Sequence, residues 1–433
     1  MESGAPLVGP VPRGLARVYH GWFVVLVAAA AMVGTLPART QGLGLITEPL
    51  LHDLGLSRVA YAEINLWATL IGATFAIGIG RVLDRFGGRV VLAAVAAALG
   101  AVVCLMSRAR STAALFAWIT LTRGIGQSAL SVISIAMVGH WFVRKLERAM
   151  ATYSIVTTVG FMLAFPLAGA LVQRWGWRWT WFALGAALLA GLVPLALLVV
   201  RRGPEACGLA PDGDESSERR ARADQRDEQL SGHAWSAALR TPAFWVFALG
   251  GALYGLVASG IALFNESVLA ERGFGPEVYY QTLVVTACTG LAGNFLGGWL
   301  AGRVRLQRLL ALALVVLAAG LVALPFVTTL AQVMVWASAM GVSGGLMMVL
   351  FFGVWPRVYG RRALGRIQGS AQALTVLASA LGPLVLAWCV ERTGSYRAMF
   401  EALALVTVAL AAASLAVRIP PPAGADERVA PEA

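Results

Sequence analysis

Twelve apolar stretches follow one another along the chain, separated by short segments rich in arginine, glycine and polar residues. About 20 consecutive apolar residues are enough to cross the hydrocarbon core of a bilayer as a helix. The pattern therefore predicts twelve membrane-spanning helices. In chain order, the predicted spans 1 to 12 cover residues 21–50, 59–80, 90–107, 112–138, 146–173, 178–200, 242–270, 278–302, 308–328, 331–356, 364–390 and 397–417.

The composition excludes a water-soluble protein. Hydrophobic residues make up 58% of the chain and charged residues 13%, whereas soluble domains average about 25% charged residues. An all-α polytopic membrane protein is the class that fits. The sequence has no GxxxxGK[ST] loop for ATP, no HExxH or GxSxG motif, and no metal-ligand spacing among its four Cys and four His. We therefore expect neither an enzyme nor a bound cofactor or metal.

The basic residues indicate how the chain is oriented. The net charge is +12, but the arginines lie in short clusters between apolar stretches, which argues against a nucleic-acid partner. If both termini are cytoplasmic, the cytoplasmic segments hold 24 basic residues and the outer segments hold 8. This bias follows the positive-inside rule. It predicts a multi-pass protein of the inner (plasma) membrane with both termini in the cytoplasm.

The polar segments also divide the chain into domains. We expect a cytoplasmic tail at 1–20, a six-helix bundle at 21–200, a cytoplasmic linker at 201–240, a second six-helix bundle at 241–418 and a tail at 419–433. Residues 1–20 contain three prolines and no apolar core with a cleavage site, so they do not read as a signal peptide. The linker is highly charged and poor in apolar residues, and it cannot form a core of its own.

The two bundles share a weak internal repeat. At an offset of 218 residues, Thr47-Glu48 falls on Asn265-Glu266, and Gly80 falls on Gly298. At an offset of 217, Phe165-Pro166 falls on Gly382-Pro383. Matches at nearly one offset indicate two pseudo-symmetric six-helix bundles related as a parallel repeat. Transporters built this way hold their substrate between the repeats, near the middle of the membrane.

The segment after span 2 resembles a motif of the major facilitator superfamily. It reads Gly80-Arg81-Val82-Leu83-Asp84-Arg85-Phe86-Gly87-Gly88-Arg89 and is similar to the GxxxDRxGxR loop of that superfamily. A degenerate second copy ends at Arg303. The resemblance implies the twelve-helix fold of the superfamily. It also implies that Gly80, Asp84, Arg85, Gly87, Arg89 and Arg303 form a conformational latch between the bundles, the alternative being a charged turn that ends the helices.

Within the superfamily, the chain is similar to bacterial monocarboxylate and oxalate/formate-type carriers. The similarity is carried by His20-Gly21-Trp22-Phe23 at span 1, Trp141-Phe142-Val143-Arg144-Lys145 at span 5 and Tyr359-Gly360-Arg361-Arg362 at span 11. It implies a carrier of small organic anions.

Arg39 is the most informative single residue, because it lies deep within predicted span 1, where a charge is costly unless it faces a cavity or a partner. Thr35 and Arg39 share one face of a continuous helix. We expect an anion-binding arginine in the outer half of a cavity. The alternatives are an arginine that reaches the outer interface, or an ion pair with Glu48 or Glu63.

Arg123 lies in span 4 and is followed by Gln127, Ser131 and Ser134 at helical spacing. A polar stripe of this kind must face protein or water rather than lipid. In the superfamily, an arginine in this part of span 4 is often linked to proton coupling or to the charge of the substrate. Arg123 and Gln127 are therefore candidate cavity residues, with an interhelical hydrogen-bond network as the alternative.

Further candidate substrate residues carry uncharged polar groups. Span 11 places Gln368, Gln372, Thr375 and Ser379 on one face, and span 8 does the same with Thr282, Thr286 and Thr289. These stripes could orient a small solute or hold helices together. Tyr153, Tyr254 and Asn265 are weaker candidates. The cluster of Met340, Met347 and Met348 with Trp336 and Trp355 is interpreted as core packing.

Three carboxylates, Glu266, Glu48 and Glu63, are candidate proton carriers. The alternative for Glu48 and Glu266 is that they mark outer helix ends in water.

Taken together, the sequence predicts a secondary transporter that moves a small organic anion by alternating access, with a proton gradient as the candidate drive. Its partners are a small-molecule substrate and the lipid bilayer, and we expect a monomer. The competing hypothesis is a proton-coupled exporter of drugs or of a secondary metabolite.

Overall fold

The computed structural model describes residues 19–76, 79–142, 145–201, 233–360 and 363–420. Within these residues, eleven helical segments are long and apolar enough to cross a membrane. One of them, Arg148–Val199, contains two spans that meet at Gly176, where φ is 79° and the chain reverses direction. The prediction of an all-helical membrane protein with twelve spans is therefore confirmed.

In the first half, the helical segments of spans 1 to 6 are Gly21–Val33, Thr40–Gly44, Thr47–Leu54, Arg58–Ala73, Ile79–Phe86, Gly88–Met106, Thr112–Thr122, Arg123–Leu130, Ser131–Trp141, Leu146–Ala187, Leu188–Leu192 and Val193–Val199. Arg123–Leu130 and Leu188–Leu192 are π-helical. The helices of spans 7 to 12 are longer and less interrupted: Pro242–Ala270, Pro276–Ala301, Leu306–Ala323, Leu330–Tyr359, Leu364–Thr393 and Arg397–Ala416.

Local sequence explains where several helices begin. The side chain of Ser57 accepts a hydrogen bond from the Ala60 backbone N–H at 3.1 Å and caps the helix of span 2. Thr329 and Gln332 form a reciprocal capping box at the start of span 10. Such caps satisfy backbone donors that have no partner inside the helix.

The helix ends lie on two faces of the bundle. The terminal face holds residues 19, 201, 233 and 420, and the opposite face holds the loops at Gly55, Gly176, Gly273 and Gly394. Two pairs of these glycines, each with positive φ, lie 218 residues apart: Gly55 with Gly273, and Gly176 with Gly394.

A break in the helix repeats at the same offset. Ile46 has φ −113° and ψ 2°, and Phe264 in span 7 has φ −116° and ψ 16°. The backbone therefore bears out the repeat indicated by the sequence.

The two halves touch each other on the opposite face. The hydroxyl of Thr47 donates to the Leu263 carbonyl at 3.0 Å, and the Tyr279 hydroxyl lies 3.5 Å from the Gln41 carbonyl. Both contacts join the end of span 1 to the second half. They close that side of the interface between the halves.

The predicted linker 201–240 lies mainly outside the described residues. Its described part forms a short helix, Trp235–Leu239, in which Ala238 is buried. The His233 backbone N–H donates to the Tyr359 carbonyl at 2.9 Å, and the Trp235 indole donates to Ser370 Oγ at 3.1 Å. This end of the linker is therefore packed on the second half.

Spans 8 and 10 pack backbone against backbone. A Cβ added at Gly345 would collide with the Gly290 carbonyl and the Asn294 amide, which belong to the backbone of span 8 and cannot rotate away. Small residues permit this close approach of helices in membranes.

We expect Gly345→Ala to lower the free energy of unfolding by about 1–3 kcal/mol, the usual cost of overpacking. The matched control is Gly353→Ala on the same helix, where a Cβ would meet nothing within 4 Å. The thermal unfolding midpoint of each purified variant in detergent measures the effect. Equal midpoints for the two variants would contradict the tight contact.

Candidate substrate site

A cavity of about 400 Å³ lies between the two halves, lined by residues from the middle of their helices. The first half lines it with polar residues only, namely Arg39, Thr40, Gln41 and Gln127. The contacts of span 1 with the second half close the cavity on the opposite face. Its remaining walls come from the parts of spans 7, 10 and 11 that run from mid-depth toward the terminal face.

The second half lines the cavity with two kinds of side chain. Span 10 contributes mainly large apolar groups, and span 11 contributes Gln372, Thr375 and Ser379. The full set of second-half lining residues is Gly251, Tyr254, Gly255, Ala258, Ser259, Gly344, Met347, Met348, Phe351, Phe352, Gln372, Thr375 and Ser379. The cavity therefore has a cationic wall from the first half, and a second-half lining that is apolar along span 10 and polar along span 11.

The backbone of span 1 is interrupted at Arg39. The first helix ends at Val33, Leu36–Ala38 forms a single 3₁₀ turn, and Arg39 itself is extended with φ −80° and ψ 149°. The continuous helix assumed from the sequence is thus wrong at this point. Nevertheless Thr35 and Arg39 meet, because Arg39 Nε donates to Thr35 Oγ1 at 3.0 Å.

The Arg39 guanidinium is held by uncharged groups. Its Nη2 lies 2.7 Å from Met32 Sδ and 3.4 Å from Ser131 Oγ, and its Cζ lies 5.6 Å from the centre of the Phe161 ring. No ion pair to Arg39 occurs among the described residues, and no described group accepts a hydrogen bond from its Nη1. A guanidinium without a carboxylate partner beside a cavity is a ready site for an anion.

Arg123 lies behind the cavity wall rather than in it. It is 3% exposed and donates to Asn65 Oδ1 at 2.9 Å, to Thr40 Oγ1 at 3.1 Å and to Gln127 Oε1 at 2.7 Å. Thr40 and Gln127 both line the cavity. Arg123 therefore positions two lining residues without reaching the space itself.

The other predicted substrate residues separate into two groups. Tyr254 and Gln372 line the cavity, as does most of the polar face predicted for span 11. Thr35 is fully buried under Arg39, and Asn265 donates to Thr282 Oγ1 at 3.2 Å inside the second half.

Tyr153 shares a hydrogen bond of 2.7 Å with Ser134, and neither residue lines the cavity. Gln368 is half-buried and also lies away from the lining. The threonine face of span 8 packs on span 10, where Thr286 Oγ1 donates to the Ala337 carbonyl at 3.2 Å.

The candidate proton carriers occupy different environments. Glu63 is exposed on span 2, and Glu48 accepts a hydrogen bond from Arg58 at 2.7 Å. Glu266 is half-buried, is repelled by the Glu48 carboxylate, and has no cationic partner among the described residues.

Glu271, five residues further along the chain, shows the contrasting case of a partnered carboxylate. Burial alone would raise the pKa of the Glu271 carboxyl. Hydrogen bonds from Ser395, the Tyr396 backbone and Arg272 outweigh that effect and lower the pKa below its ordinary value. Glu266 has no such support from the described residues, and its role in proton exchange stays a prediction.

The candidate latch is only partly covered by the described residues. The side chain of Asp84 lies outside them, and Gly80 is described only by its place in the helix Ile79–Phe86. Gly87 has φ 79°, which favours glycine, and Arg85 and Arg89 are exposed. Arg303 stacks on Trp299 at 4.1 Å. The latch stays a prediction.

Sequence reasoning missed much of the apolar wall. Met348 and Phe352, four residues apart on span 10, are 54% and 53% exposed and line the cavity. A cavity-facing apolar side chain and a lipid-facing one give the same signal in a sequence. From the sequence, the cluster of methionines and tryptophans is therefore interpreted as core packing. Met340, Met347, Trp336 and Trp355 are buried, and Met347 also borders the cavity.

The family profile of the Major Facilitator Superfamily matches residues 18–329 and 268–432. Mouse monocarboxylate transporter 11 is 28% identical over 411 residues, which cover 90% of this chain and 86% of that protein. NarK2 of Mycobacterium tuberculosis, described as a probable nitrate/nitrite transporter, is 26% identical over 360 residues, covering 79% of this chain and 83% of that protein.

A solved structure shares the fold. The crystal structure of a bacterial homolog of the human lysosomal transporter Spinster, in an inward-facing and unoccupied conformation, matches with a TM-score of 0.66. The match covers 92% of this chain and 94% of that chain at 16% sequence identity. At this identity the similarity concerns the fold alone.

Proposed function

Since this chain belongs to the major facilitator superfamily and is a membrane transporter rather than an enzyme, we propose that it carries a small organic monocarboxylate by alternating access. The observation that carries the proposal is Arg39, a guanidinium in the wall of the central cavity without an ion-pair partner among the described residues. The similarity to a mammalian monocarboxylate transporter over 90% of the chain supports the same substrate class.

The membrane orientation in this proposal rests on charge. The terminal face carries a cluster of described arginines, so that face is cytoplasmic under the positive-inside rule. They are Arg85, Arg89, Arg201, Arg240, Arg303, Arg305 and Arg308. The cavity then opens toward the cytoplasm, and the contacts of Thr47 and Tyr279 close it toward the outside. A second state with the opposite access follows from rocking the two halves about the cavity.

Uptake into proteoliposomes tests the proposal. Purified full-length protein is reconstituted, and the uptake of radiolabelled acetate, pyruvate and benzoate is compared with that of an organic cation and a neutral sugar. We expect saturable uptake of at least one monocarboxylate, with competition by other monocarboxylates. Transport of the cation or of apolar compounds without any carboxylate flux would instead select an exporter.

That exporter is the second candidate function. The apolar side chains of span 10 in the cavity wall favour it, because drugs and many secondary metabolites bind through apolar surface. The unpartnered Arg39 favours the anion carrier. Flux measurements with both substrate classes decide between the two functions.

Proton coupling is assigned in this proposal to Glu266. We expect Glu266→Gln to retain exchange of substrate across the membrane but to lose accumulation driven by a pH gradient, because glutamine cannot release a proton. Counterflow and pH-driven uptake, measured on the same proteoliposomes, separate the two steps. Glu63→Gln is the matched control, since Glu63 is exposed whereas Glu266 is half-buried. Unimpaired pH-driven accumulation in Glu266→Gln would remove Glu266 from the mechanism.

A further inference from the structure

The two walls of the cavity differ in chemistry, and the difference has consequences for the substrate. The cationic wall is built from span 1 and span 4, and the apolar wall from span 10. We propose that the substrate is an amphipathic aryl monocarboxylate, whose carboxylate binds Arg39 and whose flat apolar body lies against span 10. This inference rests on the proposed function and specifies its substrate class.

The apolar wall has the shape of a corner. The rings of Phe351 and Phe352 are 5.1 Å apart and nearly perpendicular, with an interplanar angle of 87°. Met348 lies one helical turn before Phe352 and adds a flexible thioether to the same surface. Aromatic rings prefer offset-stacked or edge-to-face partners, and methionine sulfur packs well on ring edges. The corner thus suits a planar ring.

The size of the cavity agrees with such a substrate. About 400 Å³ falls in the range of pockets that bury ligands larger than a two- or three-carbon acid. A small acid held at Arg39 would leave Met348 and Phe352, both about half exposed, without cover. Burial of apolar surface is the main driving force available to this wall, so a ring gains affinity that a methyl group cannot.

The geometry at Arg39 fits a carboxylate group in particular. One face of the guanidinium is covered by Phe161, and its Nε is held by Thr35. Nη1 has no partner among the described residues, whereas Nη2 contacts Met32 Sδ and Ser131 Oγ with no carboxylate beside it. The Nη edge, which is the part that pairs with the two oxygens of a carboxylate, therefore keeps N–H groups for a substrate. The cavity suits a substrate with one anionic group, since the described lining residues include no second cation.

Binding measurements on the purified full-length protein test the inference. Calorimetry would compare benzoate and phenylacetate with acetate, and with benzyl alcohol as the uncharged analogue. We expect the aryl carboxylates to bind at least about tenfold more tightly than acetate, as expected for burying a ring. Phe352→Ala should reduce this preference severalfold, because benzoate loses apolar contact that acetate does not make. The matched control is Phe295→Ala, an exposed phenylalanine on span 8 that does not line the cavity.

The outcomes distinguish the aryl-substrate inference from the monocarboxylate carrier function on which it rests. Equal affinities for acetate and benzoate, unchanged in Phe352→Ala, would overturn the aryl substrate and leave the monocarboxylate carrier standing. Benzyl alcohol binding as tightly as benzoate would overturn the anion carrier itself. The unfolding midpoint of Phe352→Ala, expected to match that of Phe295→Ala, shows that a lost preference does not come from misfolding.

Discussion

Arg39→Gln should weaken carboxylate binding strongly while leaving the fold intact. Removing one partner of a desolvated charge pair typically costs about 2–5 kcal/mol, which corresponds to a loss of affinity between roughly 30-fold and several thousandfold. Stability should change little, because Arg39 forms no ion pair with the described residues and is only half-buried. Calorimetry with a monocarboxylate measures the affinity, and thermal unfolding in detergent measures the stability.

Two further variants sharpen this test. Arg39→Lys keeps the charge but loses the planar fork, and we expect an affinity between those of the wild type and Arg39→Gln. Arg174→Gln removes an arginine that also stacks on an aromatic ring, at 5.5 Å from Trp175, but lies outside the cavity. It should bind like the wild type. Full affinity in Arg39→Gln would show that Arg39 has a structural role and that the anion, if any, binds elsewhere.

Arg123→Met should show the reverse pattern, with a large loss of stability and a smaller effect on binding. The variant leaves Asn65, Thr40 and Gln127 without their shared donor. Hydrogen bonds to a charged group contribute about 1.5–3 kcal/mol each. Removal of a buried cation recovers part of its desolvation cost, so the net loss is smaller than three such bonds. We expect about 2–4 kcal/mol in the free energy of unfolding.

The control for Arg123 is Asn65→Leu, which removes one of the three acceptors and should lower the unfolding midpoint less. Binding should weaken only severalfold in Arg123→Met, through the displaced Gln127 and Thr40. A midpoint equal to that of the wild type, together with a loss of affinity as large as in Arg39→Gln, would mean that Arg123 contacts the substrate directly, as the sequence also allowed.

The sequence predicts the twelve spans because the bilayer imposes a length on every helix, and long apolar stretches report that length without ambiguity. It also identifies Arg39, since a charge inside an apolar stretch needs a cavity or a partner. The sequence does not predict the break in the helix at Arg39. The helix gives way to a 3₁₀ turn at Leu36–Ala38, which contains Pro37. The segment that follows packs tightly on span 7, where a Cβ added at Gly44 would collide with the Ala262 carbonyl, and this tertiary contact is not visible in the sequence.

The site is less predictable than the fold for two physical reasons. A polar stripe shows that a helix faces protein or water, but not which of them, so Arg123 and Gln127 could not be separated. The π-helical turn at Arg123–Leu130 also changes the register of span 4 relative to the α-helix assumed. Apolar side chains such as Phe352 carry no signal that separates a cavity from lipid.

The backbone features repeated in the two halves suggest how the asymmetric cavity arose. Breaks and positive-φ glycines that recur 218 residues apart are what duplication and fusion of one six-helix ancestor would leave in a single polypeptide. A symmetric pair of such units would present two copies of every lining group, and two facing arginines would repel each other. Once fused, the copies were free to diverge. The first half now supplies the Arg39 guanidinium to the cavity wall, and the second half supplies the apolar side chains of span 10. Binding of an aryl carboxylate, as proposed, would use both of these surfaces.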